Sequence, residues 1–181
     1  MDIAAVIELS QTGDKAAYAR LVEHYQAPLF AFLGRFGVNQ AQAEEIAQEV
    51  FVRAWQHLDQ FDARRAAFST WLFTFARNLA INELQRASTR NESADDEALL
   101  QARCEQPQPL GELLDKERQR LLQAALRQLP LADRSVLALV YLSDLDLAAI
   151  ARIEGCSVGA VKTRLHRARH KLRQLMGTGN D

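Results

Sequence analysis

The sequence predicts an all-α fold of two small helical domains, joined by a flexible acidic linker, with a helix-turn-helix in the C-terminal domain. Apolar residues recur at three- and four-residue steps through most of the chain, which is the period of an amphipathic helix. Glycine and proline fall mostly between these segments, and no segment has the convincing alternation of a β-strand. Hydrophobic residues form 48% of the 181 residues and charged residues 25%, a balance typical of globular proteins.

The first domain, predicted at residues 1–88, contains three amphipathic helices and a polar loop before the third. Gly34 and Gly37 are expected to end the first helix, because glycine adopts the left-handed conformation that often follows a helix. In chain order the predicted helices and loop are residues 14–33, 41–58, 59–65 (the loop) and 68–86. The apolar stripes of the first two helices are Ala17, Leu21, Tyr25, Leu29 and Phe32, then Ile46, Val50, Ala54 and Leu58.

A change of composition marks the linker, predicted at residues 89–111. Between residues 87 and 114 there are six acidic residues against two arginines, and the segment is polar and poor in aromatics. The second domain follows at residues 112–181, and Pro130 lies just before one of its helices. Its predicted helices are residues 112–128, 131–142, 147–153 and 158–175.

Composition and termini exclude several classes of protein. No segment approaches the roughly 20 apolar residues of a membrane span, and the acidic N-terminus does not resemble a signal peptide. The two cysteines, Cys104 and Cys156, are too few for a disulfide framework, so we expect a cytoplasmic protein. Cys156, His166 and His170 lack the fourth ligand of a structural zinc site, so we predict no metal or other cofactor, and Cys156 is interpreted as a small buried hydrophobe.

Residues 146–161 have the pattern of a helix-turn-helix. Asp146 and Ser157 are suited to cap the two helices, and Gly155 permits the positive φ of a tight turn between them. Small side chains in the first helix allow the two helices to cross closely. The predicted buried stripe of the second helix is Val158, Val161, Leu165, Ala168 and Leu172.

The second helix of this motif is basic and carries no acid. A helix of this kind fits the major groove of DNA, with side chains at base edges and at phosphates. The alternative is a plain helical hairpin with a solvated basic face. Residues 155–175 contain Lys162, Arg164, Arg167, Arg169, Lys171 and Arg173.

The predicted helix 68–86 carries a polar face that suits unpaired bases. Thr74, Asn78, Asn82 and Arg86 follow one another at four-residue steps and so share one side. Asparagine amides both donate and accept hydrogen bonds, and Trp71 could stack on a base. For the neighbouring aromatics the favoured interpretation is core packing; they are Phe68, Phe73 and Phe75.

Five segments resemble conserved regions of extracytoplasmic-function (ECF) sigma factors. Residues 43–55 (AEEIAQEVFVRAW), 68–72 (FSTWL) and 76–80 (ARNLA) are similar to their region two. Residues 129–134 (LPLADR) and 157–169 (SVGAVKTRLHRAR) are similar to their region four, in the family's order and at a compatible spacing.

This resemblance implies a promoter-specificity subunit with three functional surfaces. The surface for the clamp helices of core RNA polymerase would comprise Glu45, Gln48, Glu49 and Arg53. The minus-ten surface would comprise the loop from Asp59 to Phe68 with Trp71, Thr74, Asn78, Asn82 and Arg86, and would flip a base from the stack. The minus-thirty-five surface would comprise Ser157, Lys162, Thr163, Arg164, His166, Arg167 and Arg169.

The implied partners are core RNA polymerase, promoter DNA and an anti-sigma factor, which in this family is commonly membrane-bound. The main alternative is a helix-turn-helix regulator that binds duplex DNA without polymerase, and co-purification with core polymerase would separate the two. An enzyme is a third class, but the sequence has no HExxH motif, no glycine-rich phosphate loop and no nucleophile elbow.

Overall fold

The computed structural model describes residues 1–91, 110–142 and 144–177, and within these ranges it contains helices and no strand. The predicted all-α class is confirmed. None of the helices in these ranges is both long and apolar enough to cross a membrane. In chain order the helices are α1 (Ile3–Gln11), α2 (Lys15–Phe36), α3 (Gln40–Gln56), a 3-10 turn (Leu58–Gln60), α4 (Phe68–Asn91), α5 (Leu110–Arg127), α6 (Leu131–Val140), α7 (Leu147–Glu154) and α8 (Val158–Leu175).

Helix α1 was not predicted, although its signals are present in the sequence. The Asp2 carboxylate accepts hydrogen bonds from the backbone amides of Ala4 and Ala5, as an N-cap does. Val6 and Ile7 are buried against α2. Nine residues give too few turns for periodicity to stand out, so packing on α2 is what establishes this helix.

The predicted end of the first helix and both predicted ends of the linker differ from the structure. Gly34 lies inside α2 and does not end it, because the buried residue Phe36 continues the apolar stripe for another turn. Gly37 alone ends α2, with φ of +94°. Helix α4 runs to Asn91 and α5 begins at Leu110, so both ends of the predicted linker are helical, and residues 92–109 lie outside the described residues.

The N-terminal half packs α1, α3 and α4 around α2. Its core contains the predicted stripes of α2 and α3 together with residues of α4 that face them, including Leu72 and Phe73. The Phe32 ring lies edge-on to Phe73, with ring centroids 5.7 Å apart. This packing leaves the opposite face of α3 toward solvent, whereas α4 also packs against α7 and leaves only part of its surface, including Asn78 and Asn82, exposed.

The C-terminal half places α7 and α8 against α6. Asp146 accepts a hydrogen bond from the Ala149 amide at 2.7 Å, which confirms the predicted cap of α7. Gly155 has φ of +62°, which confirms the predicted turn. Val158 was predicted to be buried and is 37% exposed, because it occupies the first turn of α8 and the buried stripe begins only at Val161.

The two halves pack on each other, a contact that the sequence pattern does not indicate. Arg134 of α6 is buried and donates to the carbonyl of Phe36 at the end of α2 (3.2 Å) and to that of Leu129 (3.0 Å). A Cβ on Gly37 would lie 3.2 Å from the same guanidinium group, so a side chain there would crowd it. Because Gly37 has no side chain, the Arg134 guanidinium can pack closely against the end of α2.

Candidate nucleic-acid interface

The exposed face of α3 carries the four side chains predicted to bind polymerase. Glu45, Gln48, Glu49 and Arg53 all lie toward solvent, because the opposite face of α3 is buried. The Arg53 Nε lies 2.6 Å from the Glu49 Oε1, and both side chains are about half exposed, so this ion pair adds little to stability. The face is charged, open and available to a partner.

The polar face of α4 is partly as predicted. Asn78, Asn82 and Arg86 are exposed on one side of the helix. Thr74 is half-buried, and its hydroxyl donates to the carbonyl of Thr70 at 2.7 Å. The structure therefore brings three of the four predicted polar side chains together on an open surface.

An aromatic cluster lies at the N-terminal end of α4. Phe68 and Phe73 are buried, which confirms the prediction of core packing for them, whereas Phe75 is half-buried. Trp71 is also half-buried, and its ring centroid lies 5.3 Å from that of Phe61 and 4.9 Å from that of Phe75. Trp71 therefore belongs to the core on one side and borders solvent on the other.

The loop before α4 is held by local hydrogen bonds. The Asp62 carboxylate accepts from the backbone amide of Arg64 (3.0 Å) and from its guanidinium group (2.9 and 2.8 Å). These hydrogen bonds lower the pKa of Asp62 to about 2. The loop therefore presents a fixed negative charge beside an exposed arginine at any physiological pH.

Helix α8 presents the predicted basic face to solvent. Lys162, His166 and Arg169 are exposed, and none of them has a side-chain partner among the residues that the structure describes. The Ser157 hydroxyl accepts from the Ala160 amide at 3.1 Å, which confirms its predicted role as the cap. Thr163 is exposed and donates to the carbonyl of Gly159 at 3.1 Å.

Arg167 has a partner that the sequence did not indicate. Its Nε donates to the Asp133 Oδ2 at 2.6 Å, and its Nη2 donates to the other carboxylate oxygen. Asp133 is only 1% exposed, whereas the Arg167 side chain is 60% exposed. Two guanidinium donors of Arg167 therefore hold α8 on α6, and the rest of the group faces solvent.

Arg164 is also engaged within the domain. Its Nη1 lies 3.4 Å from the Glu154 Oε2 and 3.7 Å from the Cys156 sulfur. Cys156 is half-buried, so its predicted full burial is not observed. The Glu154 carboxylate has no exposed area and accepts a further hydrogen bond from the Ser135 hydroxyl.

The same carboxylate joins the two halves of the chain. Arg77 of α4 donates through Nη2 to the Glu154 Oε2 at 3.2 Å and through Nε to Oε1 at 3.4 Å. Arg77 also donates to the Asn78 side chain at 3.2 Å. We define the Glu154 cluster as Glu154 with Ser135, Arg164 and Arg77. It lies directly beside the polar face of α4.

Sequence reasoning missed the acidic and polar members of these contacts. Asp133, Ser135 and Glu154 each lie in or beside an apolar helical stripe, where a polar residue indicates a buried partner. That signal predicts that a partner exists but does not identify it. In the described ranges no group of three or more His, Cys, Asp or Glu side chains could hold a metal, and Cys104 lies outside these ranges.

Two family models match the chain, one in each half. The model described as sigma-70 region 2 matches residues 21–90, and the model described as sigma-70, region 4 matches residues 119–172. The ECF RNA polymerase sigma factor SigW of Bacillus subtilis (strain 168) is 34% identical over 183 residues, 97% of each chain. The ECF RNA polymerase sigma factor RpoE of Cereibacter sphaeroides is 32% identical over 163 residues, 90% of this chain and 88% of that one.

Solved structures have the same fold. CnrH in complex with the cytosolic domain of CnrY aligns with a TM-score of 0.72 and 24% identity, covering 97% of each chain. The sigma factor RpoE in complex with the anti-sigma factor NepR from Bartonella quintana aligns with a TM-score of 0.64 and 23% identity, covering 87% of this chain and 97% of that one. The all-helical arrangement described above is thus found in other proteins.

Replacing Arg167 should weaken the attachment of α8 to α6. Arg167→Met leaves the Asp133 carboxylate buried without its two donors, so we expect the midpoint of thermal unfolding of the full chain to fall by about 5 °C. Lys162→Met is the matched control, because it removes a cation from the same helix without breaking a contact, and it should leave the midpoint nearly unchanged. Equal midpoints for the two variants would contradict the positioning role of Arg167.

Proposed function

We infer that this chain, which belongs to the family of ECF RNA polymerase sigma factors, is a transcription initiation factor that directs core polymerase to promoters. The observation that carries this function is that each half matches one sigma region and presents an open polar or basic face there. A helix-turn-helix regulator without polymerase would account for α6 to α8 alone. It would leave the match of residues 21–90 without a role.

The proposed polymerase-binding surface is the exposed face of α3. Its charged side chains are not part of the hydrophobic core, because the opposite face of α3, with Ile46, Val50 and Ala54, is the buried one. Charged side chains on an exposed helix face pair with opposite charges on a partner protein, and this pairing fixes the orientation of the two proteins. Arg53 and Glu49 are paired on this face, so it presents both charges side by side.

The proposed minus-ten surface combines the α4 face with the loop before it. Asn78 and Asn82 offer amides to the edges of unpaired bases, and Arg86 offers a charge to the backbone phosphates. Trp71, at the border of the aromatic cluster, provides a ring on which an unstacked base can lie. Together these groups supply the contacts that offset the cost of unstacking a base.

The proposed minus-thirty-five surface is the first three turns of α8. Lys162, Thr163 and His166 are exposed at the N-terminal part of the helix, where a recognition helix meets base edges. Arg169 is placed for a phosphate. Arg167 donates two of its five N–H groups to Asp133, which positions α8, and its three remaining donors are left for a base or a phosphate.

Binding both promoter elements at once requires the two halves to separate. Elements near minus ten and minus thirty-five lie about 25 base pairs apart, or about 85 Å along B-DNA. A compact chain of this length has a radius of gyration of about 16 Å and is about 40 Å across. The contacts between the halves, including Arg77 with Glu154 and Arg134 with Phe36, must therefore open on the promoter.

The chain length between the halves permits this separation. Residues 92–109 form 18 residues of sequence, and an extended chain of that length reaches about 60 Å.

We further propose that the protein acts in the cytoplasm, where core polymerase is found, and that an anti-sigma factor controls it. The support for an anti-sigma partner is membership of the family.

The polymerase surface is tested by reversing its charge. The double variant Gln48→Ala, Glu49→Arg should bind core polymerase about tenfold more weakly, equivalent to about 1.4 kcal/mol, while its helicity is unchanged. The matched control is Gln26→Ala, Glu23→Arg, which makes the same changes on the exposed face of α2. Affinity measured by fluorescence anisotropy that is equal for both double variants would contradict the assignment.

The minus-ten surface is tested by removing one amide. Asn78→Ala should leave binding of the minus-thirty-five duplex nearly unaltered and lower open-complex formation about fivefold, because one or two hydrogen bonds to the unpaired strand are lost. Permanganate footprinting of the holoenzyme on promoter DNA measures the open complex. Ser88→Ala, on another side of α4, serves as the control. An undiminished signal from Asn78→Ala would exclude the proposed role.

A further inference from the structure

We propose that Gln11 is a positioning residue for minus-ten recognition, acting through the backbone of the loop before α4. The inference rests on the proposed role of that loop in promoter recognition. Gln11 is the last residue of α1 and lies outside the segment matched by the region 2 model, residues 21–90. Nothing in the sequence pattern assigned it a function.

The contact is a double hydrogen bond from one side-chain amide. The Gln11 Nε2 donates to the carbonyl of Leu58 and to the carbonyl of Phe61, each at 2.9 Å. A glutamine amide has two N–H donors, so both bonds are satisfied by a single group. The two acceptors lie 47 and 50 residues away in sequence, so this contact is tertiary and not part of a local turn.

The two carbonyls are those that define the start of the loop. Leu58 opens the 3-10 turn, and Phe61 is the residue that follows it. The Phe61 amide donates to the Leu58 carbonyl at 3.2 Å, which closes the turn. Gln11 therefore fixes both ends of the turn from outside.

The opposite side of the same segment is fixed by aromatic packing. The Phe61 ring lies edge-on to Phe68 at 5.4 Å and tilted against Trp71 at 5.3 Å between centroids. The backbone of Phe61 is thus held by Gln11 and its ring by the base-stacking candidate Trp71. The direction in which the chain continues to Asp62 and Arg64 depends on both contacts.

Helix α1 is anchored well enough to serve as a support. Val6 and Ile7 are buried, and the Ser10 hydroxyl donates to the Val6 carbonyl at 2.7 Å. The next turn is closed by the Asp14 amide, which donates to the Leu9 carbonyl at 3.3 Å. A rigid helix that offers one polar side chain to a loop restricts the loop, and restricted binding groups lose less entropy on binding.

The preference of the holoenzyme for one base over another in the minus-ten element is the quantity to measure. It changes if Gln11 positions the loop, and it does not change if Gln11 only stabilises the fold. The holoenzyme is tested with single-stranded oligonucleotides that carry the minus-ten sequence mapped from its start sites and with the same strands substituted at one base. Gln11→Met removes both donors and keeps the length of the side chain. The affinity for the minus-ten strand divided by the affinity for the substituted strand should fall about tenfold. The affinity for core polymerase should be unchanged.

Glu8→Met is the matched control on the same helix, because Glu8 is exposed and makes no hydrogen bond within the described residues. It should retain the wild-type ratio. Gln11→Arg keeps paired N–H donors and should retain more discrimination than Gln11→Met. Equal loss in Gln11→Arg and Gln11→Met, or no loss in Gln11→Met, would overturn the inference.

Hydrogen exchange provides a second readout in the full chain without polymerase. The backbone amides of residues 58–64 should exchange faster in Gln11→Met than in Glu8→Met, because the turn loses its support. Equal exchange in the two variants would also overturn the inference. If the wild type showed no base preference in the single strand, the proposed function of the loop would fail and this inference with it. A clear wild-type preference that Gln11→Met retains would reject only the role of Gln11.

Discussion

The structure depends most on the buried carboxylate of Glu154. A carboxylate without exposed area is stable only when charged or hydrogen-bonding partners surround it, because it has lost its hydration. Ser135 of α6, Arg164 of α8 and Arg77 of α4 supply those partners. One group thus orients α6, α7 and α8 relative to one another and also joins the C-terminal domain to the N-terminal half.

This arrangement makes separation of the halves feasible. When they part, Glu154 loses Arg77 and keeps Ser135 and Arg164, so the carboxylate remains partnered inside its own domain. Asp133 and Arg167 belong to one domain as well, so α8 keeps its position on α6 in either state. Arg77, once released, adds a cation beside Asn78 on the proposed minus-ten surface. Helix α8 is therefore held independently of the interface, whereas α4 takes part in the interface through Arg77, and the neighbouring Asn78 stays exposed.

The sequence predicted what local periodicity and capping determine. The predicted caps Asp146 and Ser157, the turn at Gly155 and the buried faces of α2 and α3 all depend on residues within a few positions of one another. The missed features arise from contacts between distant residues. Arg167 contacts Asp133, which is 34 residues away in sequence, and Arg77 contacts Glu154, which is 77 residues away. A charged residue in a pattern indicates that a partner is needed, but the fold alone determines which one.

We propose that the described arrangement is a closed form of the protein that opens on the promoter. Intramolecular energy transfer tests it most directly, with dyes on Ala63→Cys and Lys171→Cys after Cys104 and Cys156 have been replaced by serine and alanine. We expect efficient transfer in the free chain, where the halves lie within about 40 Å. In a transcribing holoenzyme on promoter DNA we expect a large loss of transfer. Unchanged transfer in that active complex would contradict the claim.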